Sequence, residues 1–79
     1  MGLSDVEKEW AGRASRFVKA ELKRAGVGYR ELAERLGEHG LHETEDSITA
    51  KLSRGTFPTP FFFVVMKAIG REHVNLADI

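Results

Sequence analysis

Residues 44–57, TEDSITAKLSRGTF, decide how the rest of the chain is read. Thr44 stands where an N-cap belongs, Glu45 and Asp46 would sit at the positive end of a helix dipole, and Lys51 and Arg54 at its negative end. Gly55 then stops the helix. Ile48 and Leu52, one helical turn apart, are the only large apolar side chains before Phe57, so a single narrow seam faces a core. Most of this helix's surface faces something else, and the functional question is whether that is DNA, another protein or water.

Upstream, Ser4 and Glu7 have the capping-box spacing, which starts a first helix near Asp5. Val6, Trp10, Ala14, Phe17, Val18, Leu22 and Ala25 then recur at three- and four-residue steps and trace one apolar stripe, closed by Gly26. Arg16, Lys19 and Lys23 line up on the opposite face as a basic ridge. Such a ridge is either a phosphate-contacting surface or a solvated face. Tyr29 to Leu36 reads as a second, short helix with Leu32, Ala33 and Leu36 inward, ending at or before Gly40, and Leu41 tucks into the core.

Downstream, FPTPFFFVVMKAIG (57–70) contains good strand formers, but capping chemistry decides for a fourth helix. Thr59 is expected as N-cap with Pro60 at the first helical position, and Gly70 sits where a C-terminal glycine belongs. Phe62, Val65, Met66 and Ile69 form one apolar face, and Phe61, Val64 and Ala68 a second. Such a helix is either the central core helix or buries its second face against a partner. In the tail, Val74 and Leu76 alternate with His73 and Asn75, a short strand pattern. A lone strand cannot satisfy its backbone, so it pairs with a second copy or lies extended over the helices. The expected dimer interface is Phe61, Val64, Ala68, Val74 and Leu76.

A chain of 79 residues with 42% hydrophobic and 30% charged residues is one small, ordinary globular domain spanning residues 1–79, of all-α class with a short C-terminal extended segment. No apolar run approaches the roughly 20 residues that span a bilayer, and the start lacks a signal peptide's basic and apolar regions. A cytoplasmic location is expected. Without cysteine there is no disulfide framework and no thiolate metal site. His39 and His42, beside Glu38 and Glu43, have the chemistry of metal ligands but an unspecific spacing, and read as surface residues of a glycine-bracketed loop. No serine-hydrolase elbow, phosphate loop or dinucleotide glycine pattern occurs, so neither an enzyme nor a cofactor nor a small-molecule substrate is expected.

Formal net charge is zero, yet its distribution is uneven. Residues 13–24 hold five basic side chains against Glu21, residues 31–46 hold six acids against Arg35, and the last third turns basic through Lys51, Arg54, Lys67 and Arg71. A basic face for nucleic acid and mutual neutralisation within the fold are both compatible with that pattern.

GVGYRELAERLG (26–37) is similar to the second helix of the phage-repressor type of helix-turn-helix domain, and SITAKLSRGTFPTP (47–60) resembles its recognition helix and following loop. The pattern RFVKAELKRAGVGYRELAERL with KLSRGTF resembles, over about residues 10 to 70, a family of small uncharacterised bacterial domains known only as a domain of unknown function. The first resemblance implies a four-helix, repressor-type domain that binds duplex DNA as a regulator. Asp46, Ser47, Thr49, Ala50 and Lys51 would then face the major groove, Lys51 and Arg54 would contact bases or phosphates, and Arg30 with Arg16, Lys19 and Lys23 would add phosphate contacts. Glu43, Glu45 and Asp46 carry the wrong sign for phosphates there, whereas as helix-capping charges they need no partner. A protein-interaction or dimerisation module that reuses the fold is the competing expectation.

Overall fold

The computed structural model describes residues 2–79. It is built from four helices, α1 (Asp5–Ala25), α2 (Tyr29–Glu38), α3 (Glu45–Arg54) and α4 (Thr59–Ala68), followed by a 3-10 turn at Leu76–Asp78. Among the described residues there is no strand.

Local chemistry accounts for the helix ends. At α1 the Glu7 N–H donates to Ser4 Oγ (3.1 Å) and the Ser4 N–H donates to Glu7 Oε1 (2.9 Å), so two otherwise orphaned donors are satisfied reciprocally. Gly26, at φ 73°, ends the helix and donates its N–H to the carbonyls of Leu22 and Lys23. α3 opens with a second reciprocal pair that the sequence reading did not contain: Ser47 N–H to Thr44 Oγ1 at 3.0 Å and Thr44 N–H to Ser47 Oγ at 2.8 Å. α2 runs two residues past Leu36, to Glu38, and begins at Gly28 with no side-chain cap. α4 begins one residue earlier than Thr59 capping implies. Its N-cap is Pro58, which has no side chain to cap with, and Pro60 stands inside the first turn, where a missing N–H costs nothing.

Packing selects the core from the apolar stripes. Val18, Leu32, Leu36, Ile48, Leu52 and Val65 have no exposed surface, and they come from all four helices. α3 packs on both α1 and α2, and α4 packs on α2. Leu41 packs at the edge of this core. The α1 stripe is buried only in its second half: Phe17, Val18 and Leu22 are inside, while Val6 is 67% and Trp10 42% exposed. Arg13 and Phe57 cover Trp10 in part, and Val6 stands open to solvent.

The two apolar faces expected on α4 merge. Phe61, Val65 and Met66 are buried together, and Phe62, Val64, Ala68 and Ile69 pack half-buried around them. Phe61, expected at a dimer interface, is 3% exposed and lies in the chain's own core, so it offers no surface to a second copy. The strand expected in the tail is absent. Residues 71–75 are irregular and pinned by Arg71, which donates to the His73 carbonyl at 2.7 Å and pairs with Glu21 at 2.7 Å. Asn75 Oδ1 then accepts from the Ala77 N–H at 2.9 Å to form the 3-10 turn. With no partner strand to satisfy its backbone, the segment takes local hydrogen bonds instead. Val74 packs against the core while Leu76 stands 72% exposed, so the two do not share a face.

Candidate nucleic-acid interface

The position of α3 is set by two contacts with the α1 backbone and one of its hydroxyls. The buried Ser15 hydroxyl donates to the Leu52 carbonyl, one of the terminal helix carbonyls that lack an intrahelical partner. Gly55 lies directly on Ala11: a Cβ built on it would stand 2.7 Å from the Ala11 carbonyl carbon and closer still to its oxygen. With Ile48 and Leu52 turned into the core, Asp46, Thr49, Ala50, Ser53 and Arg54 form an exposed outer strip.

The residues expected to meet DNA divide into free and committed side chains. Lys51 is committed: its Nζ sits 2.9 and 3.0 Å from the two Glu43 carboxylate oxygens and 5.4 Å from the centre of the Phe61 ring. Ser47 is committed too, its hydroxyl donating to Glu43 Oε1 at 2.6 Å while it caps α3. Glu43 therefore neither repels a phosphate at full strength nor leaves Lys51 free to attract one. The side chains of this pair are only 22% and 9% exposed, so water screens them weakly. Thr49 donates to the Glu45 carbonyl at 2.8 Å but stays on the surface. Arg30 lies 3.7 Å from Glu45, with the two side chains 85% and 58% exposed, an association that solvent reduces to a marginal one.

Arg54 on α3 and Arg16, Lys19 and Lys23 on α1 are exposed and form no ion pair among the described residues. The Arg16 side chain folds back over Gly12, where a Cβ would stand 3.2 Å from its Nη1. Beside the ridge, an open groove of about 530 Å³ is lined by Arg13, Arg16, Arg24, Phe17, Glu21 and Asp78. Its floor is Glu21, a carboxylate only 6% exposed that pairs with Arg24 at 2.9 Å and Arg71 at 2.7 Å. Sequence reasoning missed this cluster. The block of basic residues around Glu21 pointed to it, but the partner fifty residues away in sequence left no local signal.

The helix cap acts on the Glu7 carboxyl in turn. The Ser4 backbone N–H, and then the Ser4 hydroxyl, hold it below its ordinary 4.5. Among the described residues no group of three or more His, Asp or Glu side chains is placed to hold a metal ion. No helix among the described residues is long and apolar enough to cross a membrane.

Fold and surface together define an all-α protein in which a long helix and a short one flank an exposed third. The chain belongs to the family described as Domain of unknown function (DUF6471), which matches residues 10–74, from Trp10 in the first third of α1 to the tail residue Val74. No curated protein matches it, and no solved structure does.

Proposed function

We propose that this chain is a small DNA-binding regulator of the helix-turn-helix, phage-repressor type, in which α2 and α3 form the paired helices and α3 enters the major groove. The observation that carries the reading is the uncovered outer strip of α3, held in place by α1 and α2 beneath it. In this arrangement Thr49 and Ala50 present methyl groups suited to thymine, and Arg54 presents a fork suited to guanine or a phosphate. Arg16, Lys19, Lys23 and Arg30 supply backbone contacts that position the protein without reading sequence. Lys51 and Ser47 act indirectly, by holding Glu43 away from the DNA. Asp46 lies in the first turn of α3, where its charge suits the helix dipole, and its carboxylate is suited to cytosine amino groups rather than to phosphates.

Fluorescence anisotropy with labelled duplex fragments, run from about 50 to 200 mM salt, tests this. Affinity is expected to fall steeply as salt rises. In the Arg16→Ala/Lys19→Ala/Lys23→Ala variant the slope of log K against log salt should drop by about 3, one for each phosphate no longer neutralised. Arg54→Ala should weaken binding to a preferred sequence more than to random duplex. Absence of any association with genomic duplex fragments at low salt would remove the reading.

A further inference from the structure

The large apolar side chains left in water lie along one strip. Leu3 and Trp10 share a shallow depression with Phe57 and Pro58. Trp10 and Phe57 in turn border one with Phe62, Leu76 and Ile79, and Phe62 leads on to Phe63, 6.0 Å away between ring centres. Val6 stands one helical turn before Trp10 on α1. This strip runs over α1, the loop after α3, α4 and the tail, and includes none of the outer residues of α3.

We propose that this strip is the contact surface for a second copy of the chain, related by a two-fold axis. Three features select that occupant. First, its size fits: Trp10 and Phe63, 42% and 63% exposed, leave roughly 200 Å² of aromatic surface in water, given what such rings bury when covered. Leu3, Val6 and Leu76, at 40%, 67% and 72%, bring the total to the order of 500 Å², the upper end of what a monomer's largest patch presents. The half-buried Phe57, Phe62 and Ile79 and the rim extend this toward the roughly 800 Å² per partner of a specific interface. Second, its composition is that of an interface centre, aromatic and poor in charge, with the Arg13 guanidinium 4.3 Å from the centre of the Trp10 ring. Third, the charges permit self-association. The chain's formal net charge is zero, so two copies do not repel as wholes. One end of the strip carries Glu7 and the other Lys67 and Glu72, and a two-fold contact that apposes the ends sets Glu7 of one copy against Lys67 of the other.

The chain's single tryptophan lies in the strip and reports directly. Sedimentation equilibrium over a wide concentration range should show a reversible monomer–dimer equilibrium, and Trp10 emission should shift to shorter wavelength along the same curve. Phe63→Lys and Leu76→Asp, both at exposed positions, should each weaken association at least tenfold while leaving the far-ultraviolet circular dichroism and the melting of the monomer unchanged. Three results would overturn the proposal: a chain that stays monomeric at every concentration, a dimer in which Trp10 emission does not move, or a dimer that both variants leave intact. The test needs no DNA, and it stands whether or not the DNA-binding reading survives.

Discussion

Gly26 and Gly55 end α1 and α3 at the same backbone angle, φ 73°, yet replacing each by alanine should have different consequences. In the left-handed region a Cβ costs about 1–2 kcal/mol on conformational grounds alone. At Gly26 that is the whole penalty, because a Cβ there meets nothing within 4 Å. At Gly55 the same atom would stand 2.7 Å from the carbonyl carbon of Ala11, and the third neighbour, the Ala11 Cα, is at 3.3 Å. These are backbone atoms of a packed helix and cannot swing away. The end of α3 must retreat from α1, which loosens Leu52 and the hydrogen bond from Ser15. Overpacking of this kind costs about 1–3 kcal/mol, and the strained buried hydrogen bond about 1 kcal/mol more. Gly55→Ala should therefore lose about 3–6 kcal/mol, a large share of the 4–12 kcal/mol or so available to a domain this size. Urea unfolding followed by circular dichroism and by Trp10 emission measures both variants on one scale. Equal losses at the two positions would refute the close approach of α3 to α1.

Ser15→Ala should cost about 1–2 kcal/mol in the same unfolding assay, since it leaves the buried Leu52 carbonyl without its donor. Glu21→Gln should cost about 1.5–3 kcal/mol, by removing the charge from the hydrogen bond that Arg71 donates. Arg24→Ala, at the solvent end of the same cluster with its side chain 69% exposed, should change stability by less than about 1 kcal/mol. The pH dependence near α1 follows from the lowered Glu7: the capping-box contribution is present above the unfolded value of 4.5 and fades as pH falls through the lower folded value. Carboxyl chemical shifts should place Glu7 below 4.5, and Glu7→Gln should erase that part of the acid dependence of stability.

The sequence made local features legible and left distant ones hidden. Ser4 with Glu7, Gly26, Thr44 and Gly55 announced the ends of α1 and α3, because caps and stops act over a few residues. The seam of Ile48 and Leu52 was readable for the same reason. Partners such as Glu43 for Lys51, across a helix start, or Arg71 for Glu21, fifty residues apart, depend on how elements come to rest against one another. That is why Lys51 looked available to DNA and is instead held. Periodicity likewise showed that Val6 and Trp10 continue an apolar stripe, but a stripe does not state what covers it. The tail alternated like a strand, yet alternation without a neighbouring edge leaves the backbone to find local bonds.

The contact of Gly55 and Leu52 with Ala11 and Ser15, together with the buried Ile48 and Leu52 side chains, anchors α3 entirely from its inner face. The register of the helix against the body of the protein therefore does not depend on the identities of Asp46, Thr49, Ala50, Ser53 or Arg54. Those five positions can be rewritten together without moving the helix that carries them. On the DNA-binding proposal, these are the positions at which sequence preference would be re-specified, at little cost to folding.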